Sequence, residues 1–115
     1  MNVATAVVSC LLAALLVMSA AAKFAATPAF VAGMAKVGVS ADQLRPLAVI
    51  EVAGAVGLVA GLFWPPIGVA AAVGVILYFV GALIFHYRAR DTAVVAPSAL
   101  LLLGVAALAL GVAAT

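Results

Sequence analysis

The chain has 115 residues, of which 70% are Ala, Val, Ile, Leu, Met, Phe, Trp, Tyr or Cys and only 7% are charged. Soluble domains are roughly 45–50% apolar and about 25% charged, and so small a fold has too little interior to hide the excess. A soluble monomer, a disordered chain and a collagen-like chain are excluded, and an integral membrane protein remains. The net charge of +2 rests on five basic and three acidic residues. That is too sparse for a nucleic-acid footprint and suits loops beside anionic lipid. Cys10 is the one cysteine, so no intrachain disulfide or CxxC pair forms. His86 is the one histidine, so a His-rich metal site within one chain is also excluded.

A bilayer core of about 30 Å is crossed by about 20 apolar residues as a helix. Four runs meet that length: Val3–Ala22, Pro46–Trp64, Ile67–Phe85 and Val94–Ala114. They are continuous, not alternating, which selects helices over a barrel. The fold class expected is all-α: a four-helix membrane bundle forming one domain over residues 1–115.

The first run ends at Lys23. A cleaved signal peptide ending near Ala20–Ala22 is the weaker reading, because the run is long and lacks a basic start. The connection that follows carries its own helix, about residues 28–37. Thr27 suits its N-cap, Pro28 its first turn and Gly38 its end. Phe30, Val31, Met34 and Val37 share one side, which fits a short interfacial helix or, alternatively, a lid over a ligand pocket. Ser40-Ala41-Asp42-Gln43 is a capping-box pattern that opens the second long helix. Pro46 then falls within its first turns and should bend it. Trp64-Pro65-Pro66 separates spans two and three as a tight hairpin, with Trp64 suited to the headgroup region.

Lipid provides no hydrophobic drive for helices to associate, so close backbone contact matters. Gly57 and Gly61 form a GxxxG match, with Gly54 on the same side. Gly74 and Gly81 in span three, and Gly104 and Gly111 in span four, are each seven apart. These smooth stripes are expected to pack the bundle internally, with a homo-oligomer seam as the alternative.

Glu51 is the most informative residue, because a carboxylate within a span normally faces protein or water. Counted from Pro46, it lies roughly 7–8 Å inside the run. Lys23 and His86 end spans one and three at the same side of the membrane, with Arg88 just beyond. The expectation is that Glu51 meets Lys23, His86 or Arg88. Such a cluster is either a clasp that fixes helix order or the polar end of a pocket for a lipid or quinone head. A proton-coupling site is a third reading. Tyr78 lies two turns before His86 and extends the polar wall or packs in the core. No nucleophile–base pair, phosphate loop or metal-ligand set is present. Cys10 reads as a small buried hydrophobe.

With these residues in place, the chain resembles the DoxX-like family of small four-helix membrane proteins. The resemblance rests on Ala22-Lys23-Phe24, the Gly38 connection and Ile50-Glu51-Val52-Ala53-Gly54. Pro65-Pro66-Ile67-Gly68 and His86-Tyr87-Arg88-Ala89-Arg90-Asp91 continue it. It implies a membrane subunit or binding protein without independent catalysis, holding a quinone, an isoprenoid lipid or a redox-enzyme partner. Lys23, Glu51 and His86 match the family's recurrent polar positions. The chain is also similar to small multidrug transporters in length and in its single membrane Glu. Those carry the acid in span one, and here span one has none. A proton-coupled exporter with Glu51 as proton site is therefore the alternative function, and a structural scaffold the third.

Lys23, Lys36, Arg45, Arg88 and Arg90 all fall in the first and third connections. The positive-inside rule places those connections in the cytoplasm of a cell-membrane protein and both termini outside. Cysteines introduced at Ala89 and Thr115, in a Cys10→Ser background, should be labelled from inside and outside respectively. The opposite pattern would invert the topology, and equal labelling of both would point to dual insertion.

Overall fold

In the computed structural model, residues 3–90 and 94–114 are described. Asp91 and Thr115, both named above, lie outside them. The described residues form five helices and no strand. These are α1 (Val3–Ala25), α2 (Pro28–Lys36), α3 (Ala41–Ala60), α4 (Pro65–Arg88) and α5 (Val95–Ala114). All but α2 are long and apolar enough to cross a membrane.

The helices do not coincide with the apolar runs, because hydropathy locates solvent and caps locate helix ends. The first helix continues past Lys23 to Ala25. Ala26 then takes a left-handed φ of 47°, and the chain turns. Thr27 caps α2: the Phe30 N–H donates to Thr27 Oγ1 at 3.3 Å, with Pro28 in the first turn. At the other end Gly38 adopts φ +85°. The Val39 N–H donates to the Met34 carbonyl and the Gly38 N–H to the Ala35 carbonyl. That is a Schellman closure, and its left-handed residue is naturally glycine. Helix α3 starts at Ala41, where the Ser40 N–H donates to Gln43 Oε1 at 3.0 Å. It runs without a break through Pro46 to Ala60. Pro46 leaves the Asp42 carbonyl without its intrahelical donor, but Asp42 is exposed and water or a headgroup can serve it. Because the helix begins at Ala41, Glu51 is its eleventh residue of 20. It lies near mid-helix, deeper than the count from Pro46 implies. Trp64 caps α4, and Pro65 and Pro66 occupy its first turn. That helix carries His86, Tyr87 and Arg88 inside its last turn.

The four long helices close a ring: α1 packs on α3, α3 on α4, α4 on α5 and α5 back on α1. Glycine contacts give the direction. A Cβ built on Gly54 would meet Val75 at 3.3 Å, on Gly57 Ala71 at 2.8 Å, and on Gly61 the Gly68 backbone at 2.2 Å. One number rises as the other falls, so α3 and α4 are antiparallel. Gly104 against Val75 and Ile76, and Gly111 against Val69, show the same for α4 and α5. Gly74 and Gly81 differ from that expectation of packing: a Cβ on either would meet nothing within 4 Å.

Leu12, Leu16 and Leu58 fill the centre, each with 2% exposure or less. Buried Ala13, Ala55 and Ala72 keep the helices close. A second cluster of Val37, Val39 and Leu44, joined by Phe30 and Met34, pins α2 to the start of α3. The outside is as apolar as the inside: Val7, Met18, Val56, Leu77 and Leu102 are all at least half exposed. Water would penalise that surface, whereas hydrocarbon does not. Phe63 and Trp64 are exposed at one end and Tyr87 at the other, at aromatic-belt positions. The long axis of 41 Å matches a bilayer with its headgroups, about 40–45 Å.

The packing at Gly57 generates a stability prediction. Gly57→Leu should destabilise the protein by ~1–3 kcal/mol through overpacking, read by unfolding in detergent. Gly74→Leu, which meets open space, should cost much less, and equal losses would contradict the packing described.

Candidate functional site

The site begins with an ion pair between two helices. Lys23 Nζ lies 2.7 Å from Glu51 Oε1. Lys23 is 7% exposed and Glu51 2%. The geometry follows from helix direction. Side chains on a helix lean toward its N-terminus. On antiparallel α1 and α3 the two therefore lean toward each other, so a Lys near the end of α1 reaches a Glu near the middle of α3. The Lys arm folds back by one turn, and its ammonium also donates to Ser19 Oγ at 2.9 Å.

Each charge alone would be costly here. Together they cancel, and the hydrogen bonds satisfy part of what remains. The satisfaction is incomplete: Glu51 Oε2 is buried and has no hydrogen-bond partner. The Tyr78 phenol from α4 approaches the same carboxylate closely enough to interact with its charge. Tyr78 also packs edge-on against Phe79, with ring centroids 4.9 Å apart.

Beside the pair is a cavity of about 750 Å³, walled by α1, α4 and α5 and roofed by Phe30 and Met34 of α2. Its lining is almost wholly apolar, with Ser19, Lys23, Tyr78 and His86 as the polar exceptions. The His86 Nδ1 atom is 2.8 Å from the Ala82 carbonyl. A carbonyl only accepts, so Nδ1 carries the proton, and in the corresponding neutral tautomer Nε2 is the acceptor. A second cavity of about 390 Å³ lies between α3 and α4, with Glu51 and Tyr78 in its wall.

The structure thus joins Lys23, Glu51 and Tyr78, and sets His86 in the same cavity wall as Lys23. Arg88 is exposed at the end of α4, and Lys23 is the cation that Glu51 meets. Gly74 and Gly81 line the smaller and the larger cavity. Cys10 faces outward, contrary to the buried position expected for it, because its side of α1 points away from the bundle. Ser19 was not singled out by sequence reasoning. Its signal is the spacing of four to Lys23, which puts a hydroxyl under a folded-back ammonium.

A four-helix membrane bundle with a buried interhelical ion pair beside an apolar cavity defines the class. The family model described as the DoxX-like family matches residues 7–111, nearly the whole chain. The protein belongs to the DoxX-like family. No curated protein and no solved structure matches it.

The ion pair makes a double-mutant prediction. Glu51→Gln alone leaves Lys23 buried without a counter-charge and should lower stability by about 3–5 kcal/mol. Replacing both partners, Lys23→Met with Glu51→Leu, should recover most of that loss. Additive losses in denaturant unfolding would show that the two do not act as a pair.

Proposed function

We propose that the protein is a ligand-binding membrane subunit without independent catalysis, and that it holds a neutral hydrophobic amphiphile of the quinone or isoprenoid-lipid kind. The observation that carries this reading is the cavity of about 750 Å³ with polar groups at Lys23, Ser19, Tyr78 and His86. Small-molecule sites are mostly apolar, with a few convergent polar groups, and run to about 300–1,000 Å³.

Charge favours a neutral head. Lys23 and Glu51 already cancel, so an ionised ligand would add an unpaired charge in a low-dielectric interior. Two of the three Lys23 N–H groups are engaged, by Ser19 and Glu51. The third can donate to the ligand, and His86 Nε2 can accept from it. A carbonyl or hydroxyl head suits that combination. In this reading the protein lies in the cell membrane with its basic end in the cytoplasm and both termini outside. Lys36, Arg45, Arg88 and Arg90 are exposed at the basic end, where they fit anionic headgroups or an acidic face of a redox-enzyme partner.

Native mass spectrometry in mild detergent, with extraction of the bound molecules, tests the reading. The protein should carry a neutral amphiphile enriched over bulk phospholipid. Gly81→Leu places its side chain in open space within the cavity, so it should lose that molecule without losing thermal stability. An empty wild-type protein, or equal retention by the variant, would overturn the reading. Substrate-dependent proton uptake in liposomes would replace it with the exporter.

A further inference from the structure

We infer that the two cavities are one track for a single long-chain amphiphile, with its head at the His86 end of the larger cavity, its tail running past Lys23 and Tyr78, and its end near Ile67. The inference rests on the ligand-binding reading above and deepens it.

One face of α4 lines the whole course. Ile67, Ala71 and Gly74 line the smaller cavity, and Ala82 and Phe85 the larger. Tyr78 and Phe79 line both. From Ile67 through Ala71, Gly74, Tyr78 and Ala82 to Phe85 each step is three or four residues, as on a single helical stripe. The ion pair sits at the waist: Lys23 belongs to the wall of one cavity and Glu51 to the wall of the other. The unpartnered Glu51 Oε2 and the Tyr78 phenol mark the same point from two helices.

Two glycines of α4, Gly74 and Gly81, pack against nothing and border the track. Gly74 opens one cavity and Gly81 the other, seven residues apart on α4. A side chain at either position would occupy the path of a chain and leave helix packing alone.

Length sets the ligand class. Phe85 lies 18 positions after Ile67 on α4, hence about 27 Å along the axis at ~1.5 Å per residue. One leaflet is about half of a core about 30 Å thick. The track therefore exceeds the reach of an ordinary acyl chain and selects a longer one. A ring at the waist can admit a flexible chain by shifting away from Glu51, whereas a bulky rigid body would have to break the ion pair.

The test uses two prenols, farnesol and the longer geranylfarnesol, each with a photoreactive diazirine at the tail end. They are added to delipidated full-length protein in detergent. The long probe should crosslink to the wall around Ala70 and Gly74, and the short probe to the larger cavity. Gly74→Leu should weaken the long probe about tenfold, equivalent to losing about two buried methylenes, and leave the short probe unchanged. Gly81→Leu should weaken both. If Gly74→Leu spares the long probe, or that probe's tail maps to the larger cavity, the single track is overturned and the ligand-binding reading stands. If neither prenol binds the wild-type protein, the ligand-binding reading fails and the track with it.

Discussion

Everything near the site depends on the contact between Lys23 and Glu51. A bilayer interior tolerates neither charge alone, and each must find the other from a different helix. This fixes more than a distance. The pair forms because α1 and α3 run in opposite directions, so the side-chain tilts of the two helices converge. It also sets which face of α3 turns inward, since Glu51 is nearly inaccessible while its neighbour Ile50 is exposed. The amphipathic signal of α3 is otherwise faint, because its lipid-facing and protein-facing residues are both apolar. A charge pair is therefore well suited to specify rotation in a helix where hydrophobicity cannot.

The glycines of the long helices divide into two groups by the same logic of close approach. Gly54, Gly57 and Gly61 replace side chains where α3 meets α4, and the Gly61–Gly68 crossing brings two backbones into contact. Gly104 and Gly111 do so between α4 and α5. Gly74 and Gly81 leave room and gain no partner helix. In a membrane, where apolar surface has no reason to leave lipid, an open-sided cavity can persist between packed helices. Dense packing on one side of α4 and open space on another are thus parts of one arrangement.

The larger cavity depends on α2 as much as on the long helices. That helix buries no residue of its own, yet Phe30 and Met34 reach both the small cluster at Val37, Val39 and Leu44 and the cavity roof. The left-handed turns at Ala26 and Gly38 lay it across the opening. The interfacial-helix and lid readings of this segment are compatible: a short amphipathic helix at the boundary can also cover a ligand.

Much of the architecture was legible in the residues themselves. Continuous apolar runs determine four membrane helices because a bilayer requires about 20 apolar residues and satisfied backbone. Thr27, Gly38, Ser40 with Gln43, and Trp64-Pro65-Pro66 determine where helices start and stop, since caps and prolines act within a few residues. Glu51 announces an inward face for the same local reason. Tertiary structure decided the rest. Lys23 was one of three candidate cations for Glu51, and only the antiparallel placement of α1 against α3 selects it over His86 and Arg88. Glycine spacing alone could not separate Gly57, which packs, from Gly74, which opens a cavity. Both lie on smooth helix faces, and what stands opposite is a property of another helix. Nor is a cavity written in any one segment, because it is the volume that five helices leave unfilled.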